Sequence, residues 1–136
     1  MDNYEVTGST VGRAERCMRE AEQAFKEGDW NLTIRRVQEG VELMMKAILR
    51  FVGVEVPKMH DVADIVIKKL EEKGVEVGED KERVKEISHV LSKMRAPAFY
   101  GEVVYGEEEA KRVMQEGEWV MVRLRRWLEE VGWRSG

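Results

Sequence analysis

Arg95-Ala-Pro-Ala-Phe-Tyr-Gly-Glu102 is where this chain concentrates groups that can do chemistry. A guanidinium presents a planar fork of donors that matches phosphate, and two adjacent aromatic rings offer faces on which a base can stack. Pro97 disfavours helix in the residue before it, so Arg95 is expected at the C-terminal end of a helix. Phe99 and Tyr100 would follow outside it, with Gly101 turning the chain. The plainer alternative is that Phe99 and Tyr100 plug the end of a core while Arg95 pairs with a carboxylate.

Other constellations carry less. Glu86 and His89 have the Glu-x-x-His spacing that sets a carboxylate and an imidazole on one helical face in di-iron bundles. Such a centre needs a second pair and two further inward carboxylates, and the only other histidine, His60, follows a proline at position 57, so a metal site fails on counting. The glycines are scattered singly, without a Walker or Gly-x-Gly-x-x-Gly phosphate loop. Nothing in the spacing positions a Ser-His-Asp set. Arg123, Arg125 and Arg126 beside Trp127 have the composition of a phosphate contact, yet Leu124, Trp127 and Leu128 fit a core stripe, which leaves the arginines as a solvated face. Arg35 and Arg36 sit on an otherwise apolar segment and must reach solvent, a ligand, a partner or a carboxylate. Glu39 and Glu42 pose the same question with opposite sign, and an Arg–Glu pair between helices would answer both. Cys17, the single cysteine, excludes an internal disulfide and reads as a small core hydrophobe.

These residues need elements to hold them. Charged residues make up 37% and hydrophobic ones 43% of the 136, with 2 prolines, which is the balance of a helical globular protein. One domain over residues 1–136 is the expectation, all-α, with four to five helices in an antiparallel up-and-down bundle. Ser9 or Thr10 is the expected cap of a first helix carrying Ala14, Cys17, Met18, Ala21 and Phe25 and ending at Gly28. Asp29 caps a second, whose broad stripe from Trp30 to Val52 marks it as central. His60 or Asp61 opens a third running to Gly74. Glu79 and Asp80 open a fourth, with Val84, Ile87, Val90, Leu91 and Met94 inward, stopped near Arg95 by Pro97. A fifth begins at Glu107–Glu109 and carries Ala110, Val113, Val120, Leu124, Trp127 and Leu128. A net charge of -4 offers no global field for nucleic acid, so any such contact must be local. The polar N-terminus lacks the basic and apolar regions of a secretory signal, and no apolar run approaches a membrane span, so the expected location is cytoplasmic.

Three stretches, in this order, resemble the HEPN domain family: Val-Gln-Glu-Gly-Val-Glu-Leu-Met-Met-Lys-Ala-Ile-Leu49, Val-Pro-Lys-Met-His-Asp-Val-Ala-Asp-Ile-Val66, and Arg95–Glu102 with the later Glu-Glu-Glu-Ala-Lys-Arg-Val-Met-Gln-Glu-Gly-Glu-Trp-Val120. The resemblance implies an antiparallel helical bundle, commonly homodimeric, which binds nucleotide or RNA and in many members acts beside a minimal nucleotidyltransferase in toxin–antitoxin pairs. Arg95 matches the family's arginine; beside it we expect Tyr100 and Phe99 as stacking faces and Gln38, Glu42 and Lys46 on the neighbouring helix as support, with His60 either anchoring its loop or facing the ligand, and no cofactor or metal. Active members are metal-independent ribonucleases with a histidine four to six residues after that arginine. Here both histidines precede Arg95, and the corresponding place holds Tyr100. A phenol, titrating ordinarily near 10, shuttles protons poorly at neutral pH, so the expectation is binding without cleavage. The alternative is an interaction protein that dimerises or docks a partner such as the nucleotidyltransferase, with methionines and tryptophans covering an apolar patch.

Overall fold

A computed structural model describes residues 2–135. Five helices follow one another: α1 (Asn3–Lys26), α2 (Trp30–Phe51), α3 (Ala63–Glu72), α4 (Asp80–Tyr100) and α5 (Glu107–Glu130), with no strand among the described residues. The expected all-α bundle is what forms. The centre is α2, as its wide apolar stripe requires: Ile34, Val37, Met45, Ala47, Ile48 and Leu49 are fully buried, and α1, α4 and α5 pack around them. Glycines set how closely these neighbours approach. A Cβ on Gly117 of α5 would fall 2.3 Å from Val37 Cγ1, and one on Gly40 of α2 would fall 3.1 Å from the Ala14 carbonyl. At Gly117 only hydrogen fits, and at Gly40 a methyl would have to push its neighbours aside.

The caps explain where several helices begin. Asp29 accepts from the Leu32 amide at 3.1 Å, as expected of an N-cap. The first helix, however, starts at Asn3 and not after Ser9 or Thr10, because Asp2 accepts from Glu5 N at 2.8 Å. Thr7 and Thr10, far from capping, are buried and return their hydroxyls to the Asn3 and Val6 carbonyls. At the start of α3 it is Asp61 that accepts an amide, from Ala63 at 3.3 Å, while His60 is engaged elsewhere.

The fourth helix departs most from expectation. It runs through Pro97 to Tyr100 and ends at Gly101, whose φ of 70° is the left-handed conformation that closes helices. Proline so near a helix end removes a single interior hydrogen bond. The last turn is secured from outside instead, by Asn31 of α2, whose amide donates to the Ala98 and Val103 carbonyls at 3.2 and 2.8 Å and whose Oδ1 accepts from Tyr105 N at 2.9 Å. Arg95 therefore lies more than a turn inside the helix and not at its end. Val90, expected inward, is 42% exposed, since the inward face of α4 passes through Ile87, Leu91 and Met94. None of the helices among the described residues is long and apolar enough to cross a membrane.

Candidate functional site

The antiparallel seam of α2 and α4 holds most of the residues singled out in the sequence. Two contacts fix its ends: Asn31 with Ala98, and Met45 with the Ser88 hydroxyl at 3.7 Å. Between them, Arg35, Gln38, Glu42 and Lys46 recur at three- and four-residue steps, which aligns them on one face of α2. Across the seam, Arg95 lies between Ser88 and Ala98 on α4, with Phe99 one turn further on.

Glu42 is the hub. Its carboxylate accepts from Gln38 Nε2 at 2.8 Å and Lys46 Nζ at 2.7 Å, and lies 3.0 Å from His60 Nδ1. Burial by itself would raise this carboxyl, but the hydrogen bonds from Lys46 and Gln38, with the charges of Lys46 and His60, outweigh it and hold the group below its ordinary value. Four of the seven expected site residues thus form one connected cluster, and His60 ties the α2–α3 connector to it. The arrangement leaves Gln38 Oε1 buried with no donor.

Arg95 stands apart electrostatically. Five arginines are half-buried: Arg35, Arg36, Arg95, Arg123 and Arg125. Arg36, Arg123 and Arg125 have carboxylates at 2.6, 2.9 and 2.8 Å, and Arg35 has one at 3.8 Å. Among the described residues Arg95 has none within 4 Å, and its Nε is buried without a partner. A buried guanidinium N–H without an acceptor is costly unless one arrives to meet it. Nor do the aromatics plug the core: Phe99 is 49% and Tyr100 70% exposed, packed edge to face with centroids 4.7 Å apart, while Ala98 takes the buried position. The packed, salt-bridged alternative is not what the structure holds.

Sequence reasoning missed Arg35 as part of this surface. Its guanidinium lies 3.9 Å from the Phe99 ring centroid. The signal was there in the spacing, since Arg35 precedes Gln38 by three residues on the same face, but Phe99 was expected beyond the helix and out of its reach.

The remaining constellations resolve into scaffolding. Asp61 receives Ser88 Oγ at 2.7 Å and lies 3.4 Å from His89 Nδ1, so serine and histidine both engage the acid and not each other. Arg123 bonds Asp80 at 2.9 Å and stacks 3.5 Å over Trp119, Arg125 bonds Glu15 at 2.8 Å, and Arg126 lies 3.9 Å from Glu130. Those of Arg123 and Arg125 staple helices together. Among the described residues no three His, Cys, Asp or Glu side chains are grouped to hold a metal ion. A groove of about 750 Å³ lies elsewhere, between α1 and α5, lined by Met18, Met44, Met121 and Val122 under a charged rim.

A small all-helical bundle with a polar seam along its central helix defines the class of protein. The HEPN domain family model matches residues 9–127, and the chain belongs to that family. Its fold is similar to that of the protein TT1696 from Thermus thermophilus, with a TM-score of 0.74 over 89% of this chain and 97% of that one, at 20% identity. Comparison with curated proteins gave no match.

Proposed function

We propose that this HEPN domain binds a nucleotide or RNA at the α2–α4 seam and does not cleave it. The observation that carries the reading is Arg95, a half-buried residue whose Nε is buried without a partner and which has no carboxylate within 4 Å among the described residues, beside two exposed aromatic rings. A phosphate supplies the missing counter-charge, and Tyr100 and Phe99 supply faces for a base. Glu42, paired with Lys46, holds Gln38 and His60 in place beside it. No imidazole follows Arg95, and Tyr100 in that position lacks a group suited to proton transfer at neutral pH, so binding without cleavage is the function proposed. The buried core draws on residues from Val11 to Trp133, which supports reading the chain as one domain. A cytoplasmic, homodimeric protein is the setting we propose for it.

A thermal-melt screen of wild type and Arg95→Ala against nucleotides and short RNAs tests this. A ligand at about a hundred times its dissociation constant adds roughly 2.7 kcal/mol to the native state. The expected result is a rise in melting temperature that vanishes in the variant; no rise with any ligand would overturn the reading.

A second reading is favoured by one observation, the methionine-floored groove between α1 and α5, where Val122 is 63% exposed. Methionine surfaces adapt to protein partners, and a minimal nucleotidyltransferase is the partner this reading names. Loss of complex formation on Met121→Arg, with nucleotide binding intact, is its expected signature.

A further inference from the structure

We infer that Arg35 is a second phosphate ligand of the seam, so that the site takes a strand with at least two consecutive phosphates, an oligoribonucleotide in preference to a mononucleotide. This rests on the nucleotide reading above and extends it. Of the five half-buried arginines, three donate hydrogen bonds to carboxylates: Arg36 to Glu39, Arg123 to Asp80 and Arg125 to Glu15. Arg35 and Arg95 donate none; the Nε of each is buried without a partner, as is that of Arg125, which is however bonded through Nη1 and Nη2.

The carboxylate nearest Arg35 is already committed. Glu39 Oε1 lies 2.6 Å from Arg36 Nη1 but 3.8 Å from Arg35 Nε, beyond hydrogen-bond reach. Arg36 is held further by Glu20 at 3.1 Å, while Arg35 keeps only the long 3.8 Å ion pair with Glu39 and no hydrogen bond to a carboxylate.

Phe99 relates the two guanidiniums that make no hydrogen bond to a carboxylate. Arg35 stacks on its ring at 3.9 Å, and Arg95 precedes it by four residues on the same face of α4, an axial step of about 6 Å. Stacking fixes the guanidinium plane and leaves its in-plane N–H groups free to donate. With Arg35 against Phe99 and Arg95 one turn before Phe99 on α4, the two side chains flank one stretch of the seam, the arrangement that would let them meet successive phosphates of an extended strand. Tyr100, beyond them and 70% exposed, is placed to stack a base.

The test is fluorescence anisotropy with a labelled mixed-sequence RNA hexamer, measured across a salt series, with the four nucleoside monophosphates as competitors. Wild type, Arg35→Gln, Arg35→Lys and Arg95→Gln are compared. Arg35→Gln is expected to weaken the hexamer about tenfold and to lower the slope of log K against log salt by about 0.7, the loss of one phosphate contact on a single strand. Arg35→Lys, which keeps the charge, should retain that slope and also guards against a folding defect. Monophosphate competition should persist in Arg35→Gln and disappear in Arg95→Gln. Unchanged hexamer affinity and slope in Arg35→Gln, or equal weakening of monophosphates, would overturn the assignment of Arg35 while leaving Arg95 in place. Wild-type affinity in Arg95→Gln would bring down the parent reading as well.

Discussion

Replacing Gly117 with alanine puts the central crossing of the bundle to the test. In isolation the change favours the helix, because alanine exceeds glycine in a helix interior by about 1 kcal/mol. The structure reverses the sign. The new Cβ would lie 2.3 Å from Val37 Cγ1 and 3.6 Å from Met18 Cε. Val37 is fully buried and β-branched, so in a helix it has one strongly preferred rotamer and nowhere to retreat. Overpacking of a filled core costs about 1–3 kcal/mol, and an overlap this deep belongs at the upper end. Set against the helix gain, the net loss is about 1–2 kcal/mol, which lowers the melting temperature by roughly 4–8 °C in a chain of this size. Gly12→Ala on α1 is the matched control: nothing lies within 4 Å of its Cβ position, and the same chemical change should stabilise by up to about 1 kcal/mol. Thermal unfolding followed by circular dichroism measures both. If Gly117→Ala melted at or above the temperature of Gly12→Ala, α5 would not meet α2 at Val37 and the packing of the bundle's centre would be wrong.

Asn31→Ala removes three hydrogen bonds that hold the end of α4 and the following loop, and should cost about 1–3 kcal/mol, seen as a lower urea midpoint with the slope unchanged. Faster hydrogen exchange at Tyr105 should accompany it, and protection equal to wild type would refute the clamp. Glu42 has a folded-state pKa below its ordinary 4.5, so its contribution to stability is present above the unfolded value and is lost as pH falls through the folded one. Wild type should therefore lose stability over that acid range relative to Glu42→Gln, and parallel pH profiles would show the cluster to be unimportant. An RNA substrate incubated with clean wild-type protein, without metal, should stay intact; cleavage abolished in Arg95→Ala would make the seam catalytic.

Much of the bundle could be read along the chain because helical periodicity is a local property. Ile34, Val37, Met45, Ile48 and Leu49 announce a wide buried face by spacing alone, and Asp29 caps its own neighbour. What escaped depends on contacts between distant residues. Pro97 looks like a stop until Asn31, 67 positions away from Ala98, is seen gripping the turn that contains it. Asp2 starts α1 earlier than Ser9 or Thr10 suggested, and Tyr4, packed on Phe51 and Trp133, binds that early turn to the end of α2 and to the residues after α5. The candidate site shows the same division. Gln38, Glu42 and Lys46 are successive turns of one helix and cluster as their spacing requires, with His60 joining from the connector. The stacking of Arg35 on Phe99 was hidden because it exists only once α4 extends past Pro97. Whether Arg95 would be paired could not be read from sequence either, since any of 27 acidic residues was a candidate partner.

The claim that Arg95 awaits an anion is tested most directly by following its Nε–H resonance in nitrogen-15 correlation spectra, assigned by its loss in Arg95→Lys, while nucleoside monophosphates and then a short RNA are added. The account predicts that the Arg95 signal moves and saturates with ligand, whereas those of Arg36 and Arg123, each hydrogen-bonded to a carboxylate, stay where they are. An Arg95 signal unmoved by every ligand, or shifts confined to residues of the α1–α5 groove, would contradict it.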